Sequence, residues 1–263
     1  MVSTIMVRKG SMKIWAILFW LVIWQIGSMC LGQEILLVSP VAVSMRLFTL
    51  LPDPSFWRSI AFSACRILGG FGLAALLGIL AAVGAARYTR FRELMAPLVS
   101  VIKTTPVASF VILALFWFSS RSLSVFISFL MVFPIVYTNI LQGILQTDTQ
   151  LLEMGQVFGL SVKKKIRYIY FPQVFPYLRS AFAVGLGLCW KAGTAAEVIG
   201  IPDGSIGERL QEAKIYLQMP DLFAWTVTII VVSLLIEKLI LWLLDIIDRR
   251  NCLLYTSPSP RDS

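Results

Sequence analysis

The sequence predicts an all-α polytopic membrane protein with six transmembrane helices. Only 14% of its 263 residues are charged and 58% are hydrophobic, whereas soluble domains carry roughly a quarter charged residues. The apolar residues come in long blocks, and a helix needs about 20 of them to cross a bilayer. Lys and Arg gather in the short intervals between the blocks, as expected of loops facing anionic lipid.

The same composition excludes several function classes. The formal charge is +9, but the basic residues are too scattered to form a phosphate track, so no nucleic-acid partner is expected. Histidine is absent, and Cys30, Cys65, Cys189 and Cys252 share no CxxC spacing. A zinc site or a Cys/His nucleophile pair is therefore not expected, nor any cofactor. No G-x-x-x-x-G-K-[ST] phosphate loop occurs, so any ATP hydrolysis must come from another chain.

The first apolar block is 14–31, preceded by Arg8, Lys9 and Lys13. It is longer than a signal-peptide core and lacks a clear A-x-A site, so an uncleaved span is expected. A mixed loop with Pro40, Pro52 and Pro54 follows at 32–58. The second span, 60–86, carries Gly70, Ala74, Gly78, Ala82 and Ala86. Their spacing of four puts small residues on one side, where a neighbouring helix can come close.

Arg87, Arg90 and Arg92 then make a basic loop. The third span, 97–118, contains Pro106, and the fourth, 122–144, contains Pro134. Proline is tolerated in membrane helices and marks a kink there. A polar interval at 146–175 precedes the fifth span, 176–200. A net acidic loop at 201–221 leads to the sixth span, which starts near 222. With six spans, every basic segment falls on one side, which places both termini and the 146–175 interval in the cytoplasm. The ending "NCLLYTSPSPRDS" resembles translated adapter sequence, so 251–263 is read as a non-native tail.

Within the polar interval, Thr147 and Gln150 fit a capping box, with Asp148 in the first turn. Leu151, Leu152, Gly155 and Phe158 share one face of the short helix that follows. Gly159 suits a left-handed helix end, and Ser161 can cap a second helix. Val162, Ile166 and Ile169 form a stripe on that second helix, opposite Lys163, Lys164, Lys165 and Arg167. Pro172 and Pro176 punctuate the start of the fifth span. The interval thus reads as two short amphipathic helices joined at a glycine.

Glu153, Gly159, Ile169 and Pro172 stand at the intervals of the E-A-A-x3-G-x9-I-x-L-P loop of ABC importer permeases. Met154 and Gly155 replace the two alanines, and Phe171 replaces the leucine. The resemblance spans about 39–250. "KTTPVASFVILALFWF", with Pro106 and Trp117, and "AAEVIG" are similar to the nitrate/sulfonate/taurine branch.

The resemblance implies a type I importer permease fold in a bacterial inner membrane. It implies pairing with a second permease, usually a copy of the same chain, two cytoplasmic ATPase subunits, an extracytoplasmic binding protein and contact with membrane lipid. It further implies that the helix with Glu153, Met154 and Gly155 docks into the ATPase, that Gly159 supplies the turn, and that Ile169 and Pro172 complete the coupling element. Glu153 is expected to fix the geometry by hydrogen bonding. On this reading the chain divides into a first helix and outer loop (1–58), a transmembrane core (59–250) with its coupling loop at 146–175, and the tail.

Lys191 and Glu197 lie within the fifth span. Charges at that depth face the bundle interior or water. Six residues apart, they point about 240° apart around the helix and do not pair. A place on the translocation path is one reading for both; pairing with other helices is the other. An ATP-independent channel or secondary carrier is the rival function, and it would leave the Glu153–Pro172 spacing a coincidence. A membrane enzyme lacks the clustered acid–base groups it would need.

Overall fold

The computed structural model describes residues 14–32 and 36–252. These form helices α1 (Ile14–Leu31), α2 (Pro40–Leu50), α3 (Pro54–Arg87), α4 (Thr89–Thr104), α5 (Val107–Ala114) and α6 (Ser120–Leu145). Then come α7 (Thr149–Val157), α8 (Val162–Lys165), a π-helical turn (Ile166–Tyr170), α9 (Phe171–Gly200), α10 (Ile206–Ile215) and α11 (Met219–Cys252). Arg8, Lys9 and Lys13 lie outside the described residues, as does the expected tail beyond Cys252.

All six expected apolar segments are helical, but not all are single spans. Among the described residues, four helices are long and apolar enough to cross a membrane, or five if one bent pair counts as a span; α1 is shorter. The bent pair corrects the expected third span. Instead of one helix over 97–118, α4 and α5 meet at 101°. Thr105 is extended, as the residue before a proline tends to be, and Pro106 takes the N-cap position of α5. Pro97 and Pro134, by contrast, stay inside α4 and α6.

Three further expectations are revised. The 32–58 loop contains α2, whose Ser39 cap accepts from the Ala42 N–H at 3.2 Å, with Pro40 at the first helical position. The basic "loop" at 87–92 is one residue, Tyr88, between α3 and α4. The 201–221 loop contains α10, capped by Ser205, which accepts from the Glu208 N–H at 3.0 Å. At the start of α3, the Ser55 hydroxyl and then its N–H hold the Asp53 carboxyl below its ordinary range.

The centre of the bundle is α3, α6 and α9. Gly70 of α3 lies against Val125 and Ser128 of α6, and Gly78 against Phe133 and Val136, so these two helices run parallel. α9 runs antiparallel to α6: Gly143 meets Tyr177, Gly185 meets Val132, and Gly200 meets Leu123. Ile67, Phe71, Val132, Val136, Leu186 and Trp190 fill the space between them. Gly70, Ala74, Gly78 and Ala82 are buried on the expected face of α3. Tight contact through small residues is how helices associate where lipid removes the hydrophobic driving force.

α7 lies at the end of the bundle where α6 stops and α9 starts, and α10 lies at the opposite end. Ser161, beside α7, and Asp203, beside α10, are both exposed. In a chain cleared of native cysteines, Ser161→Cys and Asp203→Cys are expected to react with an impermeant thiol reagent from opposite sides of the membrane. Labelling of both from one side would overturn this topology.

Candidate functional site

The hairpin is built from local capping and two tertiary ties. Asp148, not Thr147, is the N-cap of α7: its carboxylate accepts from the Gln150 N–H at 2.8 Å, while the Thr147 hydroxyl donates to Gly143 O at 3.2 Å. The Asp148 N–H donates to Gln173 Oε1 at 2.9 Å, which fixes the start of α7 to the first turn of α9.

At the other end Gly159 has φ of +63°. The Gly159 N–H donates to Gln156 O and the Leu160 N–H to Gly155 O, each at 2.9 Å. Those two bonds make a Schellman motif, with glycine in the left-handed position that other residues resist.

Gly155 is buried, and a Cβ there would meet Ile169 Cδ1 at 3.0 Å and Leu160 Cδ1 at 3.3 Å. Gly155 and Ile169 are thus the internal contact of the hairpin. Glu153 and Met154 point outward. Among the described residues the Glu153 side chain makes no hydrogen bond or ion pair within this chain. Ser161 takes the N-cap conformation of α8 but makes no side-chain capping bond.

The second short helix is not separate. α8, the π-turn and α9 form one continuous helix over Val162–Gly200, with Pro172 and Pro176 inside it rather than marking its start. Pro172 has no N–H and crowds the preceding turn, and the wider π-turn lies immediately before it. The extra residue in that turn also breaks the expected stripe: Ile169 is buried, while Val162 and Ile166 are exposed.

Val157 and Phe158 are exposed by 86% and 74%. Phe158 leaves the face it was expected to share with Leu151 and Gly155 because it occupies the C-cap, where ψ is 5° and the helical register ends. Two bulky apolar side chains thus project from the tip of a braced hairpin, beside exposed Lys163 and Lys164. Sequence reasoning placed Phe158 on the wrong face and missed Val157 and Gln173.

The two intramembrane charges are far apart in environment. Glu197 is fully buried. Its Oε2 accepts from the Ser63 hydroxyl at 2.6 Å, and Ser63 Oγ accepts from the Ile206 N–H at 3.0 Å. Gly207 presses on the Glu197 backbone, where a Cβ would come within 2.3 Å. Glu197 therefore ties α9 to α3 and to the start of α10. Lys191 is instead exposed on the outside of α9. Arg46 of α2 is ion-paired to Asp221 of α11, and that hydrogen bond raises the arginine above its ordinary value. Among the described residues no group of three or more Cys, Asp or Glu is placed to hold a metal ion.

A parallel α3–α6 pair, an antiparallel α9 and a braced hairpin between α6 and α9 define an all-α membrane bundle. Residues 74–251 match the family described as "binding-protein-dependent transport system inner membrane component", and the chain belongs to that family. A Brucella melitensis protein described as a "probable ABC transporter permease protein" is 29% identical over 78% of this chain and 84% of its own. The taurine transport system permease protein of Escherichia coli is 23% identical over 81% of this chain and 80% of its own. The nitrate import permease protein of Synechocystis is 28% identical over 87% and 86%. Among solved structures, an amino acid ABC transporter crystallised with histidines shares the fold, with a TM-score of 0.58, 17% identity and coverage of 79% of this chain and 97% of that one. The resemblance to ABC importer permeases drawn from the Glu153–Pro172 spacing is borne out.

Proposed function

We propose that this chain is the membrane-spanning subunit of an ATP-driven importer in a bacterial inner membrane, coupled to a separate ATPase through the hairpin at 146–175. The solute is a small oxo-acid anion or zwitterion of the nitrate, sulfonate or taurine kind. The names of relatives support that class: taurine, aliphatic sulfonates, bicarbonate and nitrate. Two copies of the chain, or a paired permease, enclose the path across the core at 59–250. A binding protein delivers the solute to the end that carries α10. The Lys and Arg bias puts the hairpin and both termini in the cytoplasm.

The observation that carries the reading is the exposure of Val157 and Phe158 on a hairpin whose own geometry is fully held. Bulky apolar side chains in water at a rigid tip favour burial in a partner's pocket. Glu153 and Met154 lie on the docking side. Gly155, Gly159, Ile169 and Pro172 shape the hairpin and join it to α9. A push on α7 then reaches α9 through Gln173 and the Gly155–Ile169 contact. α9 in turn holds α3 and α10 through Glu197, which puts Glu197 in the gating framework and leaves Lys191 facing the path.

The double variant Val157→Ser, Phe158→Ser tests this. Full burial of one such side chain contributes about 1.5–3 kcal/mol, so ATPase co-purifying with the permease should fall by about tenfold or more. Membrane insertion should be unchanged. Full ATPase recovery together with normal uptake would overturn the docking role.

A further inference from the structure

Lys191 occupies a face of α9 unlike the lipid-facing side of the bundle. Ser180, Val184, Leu188, Lys191, Ala195 and Ile199 are exposed at successive turns and share that face. It sets one ammonium and the Ser180 hydroxyl among Val184, Leu188, Ala195 and Ile199, and Gly187 beside it has open space where a Cβ would stand. The outward face of α3 instead carries Leu73, Leu76, Leu77, Leu80 and Val83 without a charge.

Depth makes the contrast decisive. Lys191 lies nine residues before Gly200, the end of α9, which is ~13 Å along the axis. With the end of α9 at the edge of a hydrocarbon core about 30 Å thick, that is near the middle. The four-carbon stem of a lysine is too short to bring its ammonium to either surface from there. Among the described residues no carboxylate pairs with it. An unpaired ammonium at that depth faces water rather than lipid. α5 borders the same face, packing Val111 and Ala114 against Ala192 and Ala196. The neighbouring bent segment presents exposed Thr104 and Ser109.

We infer that Lys191 lines the solute path and is its anion-selecting residue, the ammonium meeting the oxo-acid group of the solute in transit. This rests on the transport reading above but not on the coupling hairpin. The charge acts through the local field: it raises the concentration of anions and lowers that of cations in a narrow aqueous cleft.

The test uses the whole transporter in membrane vesicles, with native cysteines replaced and a single Ala195→Cys thiol one turn from Lys191. Two thiol reagents of similar size are compared, an anionic sulfonatoethyl and a cationic trimethylammonioethyl methanethiosulfonate. The anionic reagent, itself a small sulfonate, is expected to react faster by about tenfold. That preference should vanish in both Lys191→Met and Lys191→Gln and return in Lys191→Arg. A Leu76→Cys thiol on the α3 outer face should react with neither reagent. No reaction at the Ala195→Cys thiol, or a preference unchanged by both neutral variants, would overturn the inference. The readout needs no uptake and no ATPase. Failure here would leave the hairpin reading standing, and failure of the hairpin variants would leave this one standing.

Discussion

Gly159→Val is expected to separate the permease from its ATPase while leaving the membrane bundle intact. Gly159 sits at φ of +63° and closes the Schellman motif of α7. A β-branched residue is strongly disfavoured there, at about 1–2 kcal/mol for an ordinary side chain in the left-handed region and more for a branched one. No neighbour lies within 4 Å of a Cβ at this position, so the penalty is conformational and not a clash. The turn relaxes by giving up the Leu160-to-Gly155 bond, and Val157 and Phe158 are then no longer presented in one geometry. A penalty of that size corresponds to about tenfold weaker association. Gly159→Asn should retain most function, because asparagine visits the left-handed region readily. ATPase co-purification and uptake, measured for both variants beside membrane-inserted yield, check this. Equal behaviour of the valine and asparagine variants would show that the turn conformation is not what the ATPase reads.

What was legible in the sequence follows the physics that wrote it. The membrane blocks were readable because lipid demands long apolar runs, and the small-residue face of α3 because close helix approach demands small side chains. Gly159 was readable because one backbone conformation demands it. The break at Pro106 was not, since proline is compatible with both a kinked span and a broken one, and only the packing of α5 on Ala192 and Ala196 decides between them. α2 and α10 were hidden because they are short and lack a long apolar run. Thr147 and Asp148 are adjacent and both can cap, and the capping-box spacing favoured Thr147 where Asp148 is the cap. Gln173 was invisible for another reason: its partner, Asp148, is 25 positions away, and no local pattern links them. Phe158 was misplaced because helical periodicity stops at a C-cap. Lys191 and Glu197 looked alike as charges in a span; only the tertiary structure puts one in the interior and the other on an open face.

Gly70→Ala is expected to damage the bundle, and Gly72→Ala, two residues along the same helix, is expected not to. At Gly70 a Cβ would stand 2.3 Å from Val125 O and 2.8 Å from the Ser128 side chain. The nearest obstacle is backbone, so α3 and α6 must move apart. Overpacking of this kind typically costs about 1–3 kcal/mol. Gly78 is a middle case, with Val136 Cβ and Cγ1 at 3.0 Å and Phe133 O at 3.3 Å, so the neighbours must give by only a few tenths of an ångström. Gly72 has nothing within 4 Å, so alanine there gains up to ~1 kcal/mol of helix propensity with no steric cost. The expected order of thermal stability in detergent is therefore Gly72→Ala above Gly78→Ala above Gly70→Ala. Uptake should follow the same order, because α3 carries Ser63, the partner that ties Glu197 to the start of α10. If Gly70→Ala matched Gly72→Ala in both measurements, α3 and α6 could not be as close as their glycines place them. The small-residue face of α3 would then reflect composition alone.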